Sequence, residues 1–130
     1  MDDLVQWLRA QLDEDERIAR AAAEEDGPDW RYDGHAVLTC REDDLVAVAS
    51  QDFMGVERGT HIAEHDPARV LREIDPKRLI IREWEDAERA AEQDPTDASA
   101  RVAVLAFGIV LKLTAAVYAD RPGYREEWRP

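Results

Sequence analysis

Residues 102–111 are apolar without interruption, and residues 113–119 extend the run beyond a single Lys112. A helix over about 96–119 built from this segment has almost no polar face, and such a helix needs cover on every side. It reads either as the central helix of a domain or as part of a dimer interface. Ten uninterrupted apolar residues fall short of the ~20 that cross a hydrocarbon layer of about 30 Å. A central Lys adds roughly 2.5–3.5 kcal/mol to the cost of insertion. The expectation is a soluble chain with no membrane partner.

A chain of 130 residues is the length of one domain, 1–130. The formal charge is −13 and is unevenly spread. Residues 1–29 hold 10 acids against 3 bases, whereas residues 94–130 hold 5 of each. Direct binding to nucleic acid is disfavoured, because repulsion replaces the gain from counterion release. Cys40 is the only cysteine, so no intrachain disulfide exists, as suits a reducing compartment. The acidic start Met1-Asp2-Asp3 is unlike a secretory leader. Both features point to the cytoplasm.

The pattern predicts an α+β fold, mostly helical. Leu4, Leu8, Leu12, Ile18, Ala19 and Ala22 recur near a 3.6-residue spacing and predict a helix over 2–25, ended by Gly27-Pro28. Asp13–Arg17 and Glu16–Arg20 are spaced for i,i+4 ion pairs. Three short runs within 30–50, parted by Asp33-Gly34 and the acidic turn 41–44, predict a small antiparallel meander. So small a sheet needs a helix over its apolar face. Residues 51–58 show no periodicity. Over 60–119 the helical pattern returns. Thr60 can cap a short helix through His65, and Asp66-Pro67 pairs a good N-cap with proline at the first helical position. Val70, Ile74, Ile81, Trp84 and Ala91 then mark one face. Asp75-Pro76 predicts a kink or two helices meeting near 75. Residues 120–130 form an aromatic and charged tail.

Chemistry-bearing residues are few. His61-Ile62-Ala63-Glu64-His65 places two imidazoles on one helical face with a Glu between them, the order of the inverted zinc metallopeptidases. A third ligand is required, and Glu126 and Glu127 are arbitrary choices for it. His35, Cys40, His61 and His65 also follow the hairpin-then-helix order of a small zinc module, with a gap of 20 residues after Cys40 that is longer than in common fingers. The plainer reading, that His61 and His65 pack and cap beside Asp66 and bind no metal, ranks first. Cys40 lies in a predicted strand and reads as a core residue rather than a thiol nucleophile. The acids at 13–16 and 24–26 could imitate DNA phosphates, although a solvated helix face is the commoner cause of such clusters. Tyr118, Tyr124 and Trp128 interleave with Arg121, Arg125 and Arg129 and could dock a partner; folding back onto the protein's own helices is favoured. No phosphate-binding loop, dinucleotide fingerprint, nucleophile elbow or Cys-x-x-Cys pair is present, and no catalytic residue is assigned.

Several stretches together carry a resemblance: Asp2-Asp3-Leu4-Val5 with Leu12-Asp13-Glu14-Asp15-Glu16, Gly27-Pro28-Asp29-Trp30, the run from His61 through Asp66-Pro67 to Glu73, and the closing block from Tyr118-Ala119-Asp120-Arg121-Pro122-Gly123-Tyr124 to Pro130. The chain resembles DUF6221, a family of small actinobacterial and actinophage proteins of unknown function. It departs from the family's usual pattern at Asp29, at Glu64 and at Asp75-Pro76. The family carries no established activity, so the resemblance supplies no catalytic residue; the plan of helix, Trp, small sheet and His/Asp-Pro helix is also similar to accessory phage proteins, which implies an accessory role. The leading expectation is a non-enzymatic, acidic interaction protein, with the N-terminal acidic helix or the aromatic tail as its surface. Self-association through the apolar faces of helices 67–93 and 96–119 is expected. The alternatives are a metal-binding protein using His61 and His65, and a DNA-mimic inhibitor.

Overall fold

A computed structural model describes all 130 residues. Four α-helices and one three-stranded sheet follow in the order α1 (Asp2–Ala22), β1 (Trp30–Tyr32), β2 (Val37–Thr39), β3 (Leu45–Ala47), α2 (Val56–Glu64), α3 (Pro67–Gln93) and α4 (Ala98–Ala116). A 3₁₀ turn at Glu126–Trp128 closes the chain. The expected α+β architecture is present. The fold divides into two compact units, one of residues 1–13 and 75–130, the other of residues 14–74.

The unit of residues 14–74 is built on the sheet. β1 pairs with β2 and β2 with β3, all antiparallel, with Trp30 opposite Thr39 and Tyr32 opposite Val37. The first turn forms because the Asp33 carboxylate accepts from the backbone N–H of His35 (2.8 Å) and of Ala36 (2.9 Å). These two bonds lower the Asp33 pKa below the ordinary carboxylate value. In the second turn the Thr39 hydroxyl accepts from the Asp44 N–H at 3.0 Å. Strand alternation buries Val37 and Thr39 and turns the following residue outward. Cys40 is therefore exposed in the turn, not in the core as its apolar neighbours suggested.

α2 supplies the cover that the sheet requires. It packs on β1 and β2, and Val37, Met54 and Ala63 form the centre of the layer, with Trp30, Tyr32 and Ile62 around them. The helix starts at Val56 behind Gly55, four residues before the Thr60 expected to cap it. Gly59, which reads as a breaker, sits inside the helix because the Tyr32 ring lies where its Cβ would be.

α3 begins as the Asp-Pro signal predicts. Asp66 Oδ1 accepts from the Arg69 N–H at 2.9 Å, and Oδ2 accepts from the Trp30 N–H at 3.0 Å. The second Asp-Pro does not start another helix: α3 continues through Pro76 to Gln93. A proline eight residues or more from either end loses one hydrogen bond, and here Ile74, Ile81 and Trp84 are buried on both sides of it.

Residues 2–13 of α1, in the other unit, bury Leu4, Val5, Leu8 and Leu12. Beyond Asp15 the buried stripe resumes at Ala19, so Ile18 is exposed rather than on the inner face. Asp13 pairs with Arg78 at 2.7 Å, while Arg17 takes Glu14 and Arg20 takes Glu16; the expected Asp13–Arg17 pair is replaced. The tail folds back. Trp7 Nε1 donates to Pro122 O at 3.0 Å, the Trp7, Tyr124 and Trp128 rings meet at 5.4–5.8 Å, and Trp128 is buried.

Candidate functional site

α4 is capped by Asp97, whose carboxylate accepts from the Ala100 N–H at 3.0 Å. The preceding Asp94 is occupied in its own turn, accepting from the backbone N–H and the hydroxyl of Thr96, and those bonds lower its pKa. The helix thus begins two residues after the expected Thr96.

Its burial is the main departure from expectation. Only Ala100, Leu111 and Ala115 of α4 are buried. Leu111 is the one large aliphatic side chain fully buried there, with Val104 and Phe107 half-buried on the same side, and the other large aliphatic residues face outward. Val102, Leu105, Ile109, Val110, Leu113 and Val117 are 36–70% exposed. Val102, Leu105, Ile109 and Leu113 recur at three and four residues, and Val110 and Val117 widen the row on one side, so the six lie within about 140° of the helical wheel. The central-helix reading is therefore corrected. No charged side chain interrupts the stripe. Thr114, beside it, turns its hydroxyl back to Val110 O at 2.8 Å, leaving no unpaired donor there. A groove of about 590 Å³ adjoins it, lined by Ala91, Pro95, Val104 and Leu105 with Glu92 and Arg101 at its rim. On α3, Leu79 is the large apolar residue left exposed, so the face expected to associate there is slight. By length and composition alone α4 is also capable of crossing a membrane.

The other candidates are placed as follows. The His61 and His65 rings lie 4.3 Å apart, and His65 Nδ1 is 2.7 Å from His61 O. A carbonyl only accepts, so that nitrogen carries the proton. His65 is also the C-terminal cap residue of α2. His35 stacks edge-on against Phe53. It precedes β2 and Cys40 follows it, and five residues of extended chain span about 16 Å. Glu126 pairs with Arg129 at 2.8 Å. No three His, Cys, Asp or Glu side chains are grouped to hold a metal ion. The acids 24–26 line a pocket of about 480 Å³ with Trp30, Thr39 and Asp44. There a hydrogen bond to the Asp44 carboxyl, then lost solvation and the charges of Asp44, Glu25 and Glu42, raise the Asp26 pKa.

The aliphatic stripe was legible as an apolar helix but not as an outward face. Residue size gave no signal either, since Ala98 and Ala106 lie on the exposed side and Leu111 on the buried one.

A family model matches residues 1–130, the whole chain. The chain belongs to DUF6221. DUF6221 is a family of unknown function, so membership transfers no residue role. Searches among curated proteins and among solved structures find no match to this DUF6221 chain.

Proposed function

We propose that this DUF6221 member is a non-enzymatic interaction protein that works by docking another polypeptide on the α4 stripe. The observation that carries the reading is the uncharged row from Val102 to Val117 on a charged protein. Apolar surface at this density is favourable to bury at about 25 cal/mol per Å², and the largest apolar patch of a monomer, typically roughly 300–600 Å², is often functional. The aromatic tail supports the reading less, because Trp128 is committed to Trp7 and Tyr124. A DNA mimic draws less support as well: Asp13, Glu14 and Glu16 each pair with an arginine. The metal alternative rests on one histidine pair whose Nδ1 on His65 is engaged by backbone.

Photochemical carbene footprinting tests the reading. Leu105, Ile109 and Leu113 are compared inside expressing cells and in dilute purified protein, with exposed Leu45 and Val48 as the internal reference. The expected outcome is several-fold protection of the α4 residues in cells at constant labelling of the reference. Equal labelling of both sets overturns it.

A further inference from the structure

We propose that the polypeptide covering the stripe is a second copy of this chain, its α4 packed antiparallel on the first about a two-fold axis at Ile109. The proposal rests on the docking reading and names its partner.

Area sets the strength. Six aliphatic side chains 36–70% exposed, each with roughly 60–120 Å² of apolar surface when fully exposed, offer about 200–400 Å² per copy after scaling by exposure. With apolar atoms forming about 65% of a homodimer interface, the two copies together bury roughly 600–1,200 Å². That is the small end of specific interfaces, and it describes a reversible dimer.

Charge sets the partner. Residues 94–130 balance 5 acids against 5 bases, so copies meeting here escape the repulsion that the formal −13 imposes on the remainder. An anionic bilayer surface would meet that net charge directly, and α4 carries Lys112 in its interior and Asp97 at its start.

Direction follows from the ends of the helix. An antiparallel pair sets each helix N-terminus beside the other's C-terminus, which the macrodipoles favour. It brings Arg101 within about one turn of the partner's Asp120, whereas a parallel pair in register sets Arg101 against its own copy. It also places the partner's Leu113 over Leu105, at the mouth of the groove formed with Ala91 and Pro95. A closed two-fold contact of this kind uses the same patch on both copies.

The test uses the full chain on a Cys40→Ser background, which removes the exposed native thiol. Leu105→Cys and Leu113→Cys chains, one of them tagged, are mixed and oxidised. The expected product is the mixed 105–113 disulfide, several-fold over either self-disulfide, because two copies of one position lie about 12 Å apart along an antiparallel pair. Sedimentation equilibrium accompanies it: a concentration-dependent dimer is expected, and Ile109→Glu weakens it at least ~100-fold with unchanged helical circular dichroism. Predominant self-disulfides, a monomer at millimolar concentration, or retention of the monomer on phosphatidylcholine vesicles overturns the proposal. Cellular protection of the stripe beside a monomer in solution leaves the docking reading standing and removes the second copy.

Discussion

Tyr32 and Gly59 show how much one missing methyl can decide. The Tyr32 hydroxyl donates to Met54 O, and its ring occupies the space beside the Gly59 Cα. Gly59→Ala is expected to destabilise the protein by about 1–3 kcal/mol, since the ring must move out of a packed layer. Gly108→Ala is the contrast. Its added Cβ would meet Met1 Cε at 3.7 Å, an ordinary contact, so the gain in helix propensity of about 0.5–1 kcal/mol is expected to show. Urea midpoints of the two variants, moving in opposite directions, check the pair. At this scale the sequence was only half legible. Asp33 and Asp66 announce their turn and cap by residue type, because a short carboxylate beside a tight turn or a proline has few other uses. Gly59 announces nothing, since the ring that requires it lies 27 positions earlier in the chain. Cys40 was misplaced by one step of strand alternation.

Among the elements, Asp66 joins two of them. One oxygen caps α3 and the other holds the first N–H of β1, and the residue is buried. Asp66→Ala therefore removes a cap, about 0.5–2 kcal/mol, and leaves a part-buried Trp30 N–H unpaired, about 1–3 kcal/mol. A loss of roughly 2–4 kcal/mol is expected in urea unfolding, against about 1 kcal/mol for Asp97→Ala, which caps α4 alone. Helices and strands were legible from periodicity and punctuation. What the pattern could not show was which proline breaks a helix. Pro67 and Pro76 follow an aspartate alike, yet only the first has a free turn before it, and the buried Ile74 and Ile81 on either side of the second hold α3 together. Nor could periodicity show that α4 turns six large aliphatic side chains outward, because a helix apolar all round has no phase to read.

On the scale of the whole molecule, two sets of carboxylates pull stability in opposite directions with pH. Asp33 and Asp94 have lowered pKa values; their contribution is present above the ordinary carboxylate range and is lost as pH falls through the folded value. Asp26 is raised by its hydrogen bond to Asp44; its contribution is present below the unfolded value and is lost as pH rises through the folded one. Asp26→Asn is thus expected to raise the melting temperature at pH 7 and to leave it unchanged near pH 3, whereas Asp33→Asn lowers it at pH 7 and converges on the parent in acid. Melting curves across that interval read both signs. The division of the chain carries a consequence for its synthesis. Residues 14–74 are contiguous, but the other unit joins residues 1–13 to 75–130, and Trp7 bonds to Pro122, 115 positions on. At about 5–20 residues per second, the apolar face of the first three helical turns waits roughly 6–20 s for its cover.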